Sequence, residues 1–204
     1  MSVVGYVQAG GGSTRFGSDK ALVELGGRTM LARTIELLSS VCGETIIVAS
    51  GAKYSGAPAP LMVDRWPGQG PLGGILTAVQ ATAFRGSRYE WSLIVSCDMP
   101  FLTREWLKVL CERAEQSKAQ VVVAESANGL EPLCACWKSV AAPAIQAAFD
   151  AGVRKVTEAM KRLPVEVLDE PVWKRFDTEG RLFWNMNLPE DYEEARRILE
   201  AQQP

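Results

Sequence analysis

Five short apolar runs, Val3–Val7, Thr45–Val48, Leu61–Val63, Leu93–Val95 and Val121–Val123, constrain what this chain can fold into more than any other feature. They are rich in β-branched residues and barely alternate between apolar and polar positions. A strand with one wet face alternates with period two, whereas a strand covered on both faces does not. The runs therefore predict a mostly parallel sheet with helices on both sides. Segments between them have helical spacing: Leu31, Ile35 and Leu38; then Ile75, Leu76, Val79 and Ala83; then Trp106, Leu107, Leu110, Cys111 and Ala114, with Thr103 placed as an N-cap. The expected fold class is α/β, a three-layer sandwich with a mostly parallel, Rossmann-like central sheet and right-handed crossovers.

After about residue 124 the alternation breaks. Glu131–Lys138 reads as a strand preceded by the turn Asn128-Gly129, and Val140–Arg162 as helix interrupted near Gly152. Val165–Leu168 and Arg181–Trp184 read as short strands. Pro189, followed by Glu190 and Asp191, opens a last helix with Tyr192, Ala195, Ile198 and Leu199 on its core side. The most linker-like stretch, Gly51–Pro60, is too short to separate domains, so a single domain over residues 1–204 is expected.

Composition excludes several kinds of chemistry. The chain has no His, which removes Ser-His-Asp triads, Cys-His pairs and His-ligated zinc. Its five cysteines form no CxxC pair and read as buried thiols of a reducing compartment. Lys and Arg number 22 against 24 Asp and Glu, without the basic excess of a nucleic-acid binder. No apolar run approaches the roughly 18 residues of a membrane span, and no basic region precedes Val3. The expectation is a cytoplasmic protein, with no nucleic acid or membrane as partner. The chemistry left open is driven by positioning and metal electrostatics.

The strongest local motif is Gln8-Ala9-Gly10-Gly11-Gly12-Ser13-Thr14-Arg15-Phe16-Gly17-Ser18-Asp19-Lys20, which directly follows a buried strand. Its glycines allow backbone N–H groups to approach a ligand closely. Arg15 and Lys20 add the cations that a polyphosphate needs. Neither a Walker A loop nor the dinucleotide fingerprint fits, because Ser18 and Asp19 follow Gly17 and Arg15 stands where a third Gly belongs. Asp64 and Asp98 each lie just past a predicted strand, and open α/β sheets bind ligands at that edge. Asp98, in Cys97-Asp98-Met99-Pro100, is the better candidate for Mg²⁺, which takes one or two carboxylates plus phosphates and water. A second glycine-rich loop, Pro67–Gly74, enters a helix and offers backbone groups near Gly70 to the edge of a base.

These motifs, with Gly70-Pro71-Leu72-Gly73-Gly74 and Cys97-Asp98-Met99-Pro100-Phe101-Leu102, resemble the nucleotidyltransferases of GT-A-like fold. Glu131-Pro132-Leu133-Cys134-Ala135 and Asn185-Met186-Asn187-Leu188-Pro189-Glu190-Asp191 narrow the resemblance to the molybdenum cofactor guanylyltransferases, over essentially the whole chain. The resemblance implies a fold of nucleotide-diphospho-sugar transferase type. It implies transfer of GMP from GTP to molybdopterin carrying molybdenum, with Mg²⁺ and release of pyrophosphate. It further implies as partners other proteins of molybdenum cofactor biosynthesis, or the enzymes that receive the cofactor. Carried over by position, Gln8, Ala9, Gly10 and Gly11 would contact the nucleotide, Lys20 its phosphates, Asp64 the guanosine part, and Asp98 both nucleotide and metal. Glu131, Asn185 and Asn187 would lie toward the acceptor. Three positions depart from the family pattern: Gln8 replaces an aliphatic residue, Ala49 an Asn found in some members, and Phe16 a Met.

Some residues have two readings at this level. Asn187 sits two residues before Pro189, where a helix cap belongs, and would equally suit the metal or the acceptor. Arg154, Lys155, Lys161 and Arg162 form either a solvated helix face or a seat for the acceptor's phosphate. Trp66 is core or a flank for a planar ligand. For the reaction, in-line attack by the acceptor's phosphate on the α-phosphorus needs no His, because a phosphate monoester is largely ionised at neutral pH. Arg15, Lys20 and Asp98 are the expected catalytic residues. The alternatives are a related nucleotidyltransferase with another nucleotide or acceptor, such as a molybdopterin cytidylyltransferase or a sugar-phosphate nucleotidyltransferase, and a non-catalytic nucleotide-binding module.

Overall fold

The computed structural model describes residues 2–10, 19–177 and 179–201. In chain order the elements are β1 (Val3–Gln8), a small hairpin of β2 (Glu24–Leu25) and β3 (Arg28–Thr29), α1 (Met30–Ser39), β4 (Glu44–Ala49), β5 (Leu61–Val63), α2 (Pro71–Phe84), β6 (Trp91–Ser96), α3 (Arg104–Gln116), β7 (Val121–Ser126), β8 (Gly129–Lys138), α4 (Ala142–Asp150), α5 (Val156–Met160), β9 (Val165–Leu168), α6 (Glu170–Trp173) and α7 (Pro189–Ala201). All five apolar runs are strands, and Thr103 caps α3 by accepting the Trp106 N–H at 3.2 Å. The interruption expected at Gly152 is present; this residue turns at φ +85° between α4 and α5.

The main sheet has the order β5-β4-β1-β6-β8-β7-β9. β1 is parallel to β4 and β6, β4 to β5, and β7 to β9; β8 runs antiparallel between β6 and β7. The ends of β5, β4, β1 and β6 therefore share one edge. Both faces are covered, which is why the strands do not alternate. Val3 and Val7 of β1 pack with Leu31, Ile35, Leu38, Trp106 and Leu110 of α1 and α3. Val4 and Tyr6 face Leu72, Ile75, Val79 and Ile145 of α2 and α4. At Gly5, α1 comes so close that a Cβ would stand 2.9 Å from Leu38 Cδ2. The Tyr6 hydroxyl, buried among apolar groups, meets Thr82 Oγ1 at 2.9 Å, and Ser92 donates to the same oxygen at 2.8 Å.

Two local features differ from expectation. Arg181–Trp184 is not a strand. Leu182 and Phe183 are buried, but Asp177 Oδ1 accepts both the Arg181 N–H (2.6 Å) and the Leu182 N–H (3.1 Å), which folds the segment into a turn. Phe183 then packs edge-on against Trp106 and Trp173. The hairpin β2–β3 has no counterpart among the expected elements, yet its signal is local: Gly26 and Gly27 both take positive φ (62° and 75°), the backbone of a tight two-residue turn.

The C-terminal helix closes the molecule against this hairpin. Ala195 joins Leu25, Met30 and Met186 in a third apolar cluster, flanked by Phe101, Trp184, Tyr192 and Leu199. Tyr192 donates to Glu24 O at 2.9 Å. All five cysteines are free thiols. Among the described residues, no helix is long and apolar enough to cross a membrane.

Candidate active site

Backbone hydrogen bonds extend the sheet one residue past its strands and thereby fix the residues at its edge. Ala9 N donates to Val48 O at 2.9 Å, Cys97 N to Gln8 O at 3.4 Å, and Asp64 N to Ala49 O at 2.8 Å. With strands spaced about 4.8 Å apart, Asp98 emerges one strand from Gln8 and Asp64 two strands away on the other side. Ala9 is buried, while Gly10 is exposed and turns at φ +90°. Gly11, Arg15 and Phe16 lie outside the described residues.

Lys20 and Asp98 meet at this edge. The Lys20 ammonium lies 4.0 Å from Asp98 Oδ2, with side chains 14% and 21% exposed. Lys20 also donates to Asn187 Oδ1 at 2.9 Å, across 167 positions of sequence. Met186 N donates to Asp98 O at 2.9 Å, so the segment carrying Asn187 is bound to the loop carrying Asp98. Phe101 and Trp184, stacked nearly parallel at 5.5 Å, join the same two segments. The Asn187 amide oxygen is engaged by Lys20, while Asp191, in the first turn of α7, accepts the N–H groups of Asn187 and Leu188 at 2.7 Å each and fixes the entry to the helix.

Asp19 organises the approach to Lys20. Its Oδ1 accepts the Ala21 N–H at 3.1 Å and caps the short 3₁₀ turn Lys20–Leu22. Its Oδ2 accepts from the Tyr54 hydroxyl at 2.7 Å and pairs with Lys53. Burial acts to raise the Asp19 carboxyl, but the Lys53, Tyr54 and Ala21 donors prevail and hold it below the usual carboxylate range. Burial, and then the bond to the carboxylate, pushes the Tyr54 hydroxyl far up. Lys53 and Tyr54 lie in the stretch Gly51–Pro60 that reads as linker-like. No local pattern there marks them, because their partner is 34–35 positions away.

On the other flank, Gln8 leans over the start of α2. Its Nε2 donates to Pro71 O at 3.0 Å, and its Oε1 is buried with no hydrogen-bond partner among the described residues. Gly74 makes room for it, since a Cβ there would stand 2.9 Å from Gln8 Cδ. Gly70, at φ +84°, turns the chain into α2 just before Pro71. Asp64 Oδ1 accepts the Trp66 N–H and the Thr77 hydroxyl, each at 3.0 Å, so this carboxylate also shapes the loop that leads to Gly70.

Glu131 is 7% exposed, and Ser126 donates to it at 2.6 Å. Burial raises its carboxyl above the ordinary range, with the Ser126 hydrogen bond opposing. It lies where the β7–β8 register jumps between the pairs Val123–Ala135 and Glu125–Leu130, so Glu131–Cys134 bulge from the ladder. Asn185 is half-buried and donates to Phe183 O at 3.1 Å. The structure thus joins Lys20, Asp98 and Asn187 directly, sets Gln8, Asp64 and Gly70 on the α2 side, and pairs Glu131 with the β7–β8 turn.

The basic group at 154–162 separates. Arg154 stacks over Phe149 at 4.0 Å and donates to Gln69 Oε1 at 2.9 Å, while Lys161 pairs with Glu158 at 2.7 Å. Trp66 is half-buried against Phe149 at 5.3 Å. A separate groove between α3 and α6, lined by Val109, Arg113, Pro171, Val172 and Arg175, includes none of the strand-end residues.

Among the described residues, no group of three or more His, Cys, Asp or Glu side chains is placed to hold a metal. The donor set here is of a different kind. Asp98 Oδ1 is buried and has no hydrogen-bond partner among the described residues, and the other oxygen of this carboxylate faces Lys20, which also holds the Asn187 amide oxygen. One carboxylate with open coordination suits Mg²⁺, which draws its remaining ligands from water and substrate phosphates.

The chain is similar over nearly its whole length to known proteins. Residues 5–165 match the model of the MobA-like NTP transferase domain. The chain is 32% identical to a molybdenum cofactor guanylyltransferase of Desulfosudis oleivorans, covering 98% of this chain and 97% of that one. It is 34% identical to one of Rhodopseudomonas palustris, covering 94% and 91%. The crystal structure of molybdopterin-guanine dinucleotide biosynthesis protein A from Archaeoglobus fulgidus superimposes with a TM-score of 0.84 at 26% identity, covering 97% of this chain and 99% of that one.

Proposed function

The chain belongs to the MobA-like NTP transferase family, and from that premise we propose that it transfers GMP from GTP to molybdopterin carrying molybdenum, releasing pyrophosphate and forming molybdopterin guanine dinucleotide cofactor. The observation that carries this reading is the meeting of Lys20, Asp98 and Asn187 at the sheet edge that also bears Gln8–Gly10 and Asp64. The working unit is one nucleotidyltransferase domain over residues 1–204. In support, the Lys20–Asn187 hydrogen bond draws residues near the two ends of the chain into one site.

In the proposed step, an oxygen of the acceptor's terminal phosphate attacks the α-phosphorus of GTP. A new P–O bond forms, the bond to the bridging oxygen of the β-phosphate breaks, and pyrophosphate leaves with that electron pair. The nucleophile is already anionic at neutral pH, so the chain needs no general base. Lys20, with Arg15 from the glycine-rich loop, meets charge that builds on the phosphates. Backbone N–H groups around Gly10 and Gly11 supply further donors. Asn187 holds Lys20 in line with Asp98. Asp98 would hold Mg²⁺ through Oδ1, and the ion when bound would neutralise phosphate charge. Asp64 and the Gly70 loop receive the guanosine part, while Glu131 and Asn185 border the acceptor.

Calorimetric titration with GTP, CTP, ATP and UTP, each with and without Mg²⁺, tests this reading. GTP is expected to bind tightly only with Mg²⁺. Tight CTP binding without GTP binding would instead assign the chain to cytidylyl transfer.

A further inference from the structure

We propose that Lys53 binds the outer phosphates of the nucleotide, working as a further cation at the rim of the edge that carries Lys20. The inference rests on the nucleotidyl-transfer reading and adds to it a residue outside the family motifs.

Lys53 lies in the 3₁₀ turn Ala52–Tyr54, just past the end of β4. β4 lies between β1 and β5, so this turn sits on the edge between Gln8–Gly10 and Asp64. The segment around it touches both flanks of the glycine-rich loop. A Cβ at Gly10 would stand 3.7 Å from Ser50 Oγ and 3.8 Å from Tyr54 Oη, and Asp19 accepts from Tyr54 and pairs with Lys53.

Charge points the same way. Asp19 is an ionised carboxylate one residue from Lys20, and it cannot be dispensed with, because it caps the turn that carries Lys20. A triphosphate that reaches Lys20 comes close to this anion, and the repulsion must be offset. An ammonium has three donors, so Lys53 can keep one on Asp19 and turn the others to phosphate oxygens. An ordinary rim ion pair contributes little. This one differs because its carboxylate is only 19% exposed and held by three donors, while the lysine is 56% exposed and reaches solvent. Lys20, 14% exposed, lies farther in beside Asp98. The inner cation suits the α-phosphate and the rim cation the phosphates that leave.

The test compares wild type with Lys53→Met, titrated with GTP and with GMP in the presence of Mg²⁺, after thermal melts confirm that both are folded. Loss of one charged hydrogen-bond donor predicts GTP binding about tenfold weaker, with GMP binding within about twofold. Unchanged GTP binding, or an equal loss for GTP and GMP, overturns the assignment. The same substitution in an Asp19→Asn background separates contact from neutralisation. A tenfold loss that persists there supports direct contact, whereas a silent Lys53→Met shows that Lys53 only balances Asp19 and overturns the proposal. Wild type that binds no GTP at all removes the underlying reading itself; wild type that binds GTP beside an unaffected variant removes only the role of Lys53.

Discussion

Replacing Asp98 by Asn should nearly abolish turnover while leaving the fold almost as stable as before. The side chains have nearly the same shape, so the change removes the charge and turns one acceptor oxygen into an NH2 donor. On one side stands the attraction to Lys20: at 4.0 Å it is about 4 kcal/mol for an effective dielectric near 20. On the other stands the cost of holding the carboxylate's charge partly out of water, on the order of several kcal/mol, which the amide does not carry. Lys20 keeps its 2.9 Å bond to Asn187, so it is not left alone. The two sides cancel to within about 2 kcal/mol, which for a chain of this length is a Tm shift of about 4–8 °C at most. Catalysis has no such compensation, because a neutral amide cannot supply the negative charge that draws a metal ion to the phosphates. Loss of one group of this kind lowers turnover by about 10²–10³. The assay is pyrophosphate release under saturating GTP and molybdopterin, with calorimetric melting in parallel. A variant that turns over at the wild-type rate would refute the role of Asp98. A variant that fails to fold cooperatively would refute the balance of terms.

Three further outcomes are expected. Lys20→Ala should lose about 10²–10³ in turnover while still unfolding cooperatively, and unchanged turnover would remove Lys20 from the site. Gly74→Ala should displace the Gln8 amide from Pro71 O; the lost hydrogen bond, about 1 kcal/mol, is offset by the better helix propensity of Ala, so Tm should barely move while KM for GTP rises severalfold. An unchanged KM would show that Gln8 does not flank the nucleotide. For Glu131, burial lifts the folded carboxyl above its unfolded value of about 4.3, so its favourable contribution is full below that pH and is lost as pH rises through the raised value. Glu131→Gln should therefore gain Tm relative to wild type as pH increases from about 4 to 7, and a constant difference across that range would contradict the cause assigned.

What can be read from the sequence depends on whether the signal is local. Val3–Val7 and its four counterparts report burial on both faces through composition alone, and they lead directly to the parallel strands and to their shared edge. Asp64 and Asp98 follow, because a residue just past a strand inherits that strand's place. The antiparallel position of β8 is not readable, since Glu131–Lys138 would look the same paired in either direction. Arg181–Trp184 misleads because its buried apolar residues look like a strand, while Asp177 sets the backbone from outside the segment. The site itself is half legible. Its motif residues can be named, but the Lys20–Asn187 bond and the Asp19–Lys53 pair join distant segments, and no spacing rule connects them. The partner of the Asn187 amide is Lys20, 167 positions away, which nothing in the local sequence around Pro189 could indicate.

The most direct test of the account is pyrophosphate release measured with GTP, CTP, ATP and UTP in turn, each with and without molybdopterin. Release is expected with GTP only, dependent on the acceptor, with a product that carries GMP. Release with another nucleotide in preference to GTP, or GTP binding with no release when acceptor is present, would contradict it.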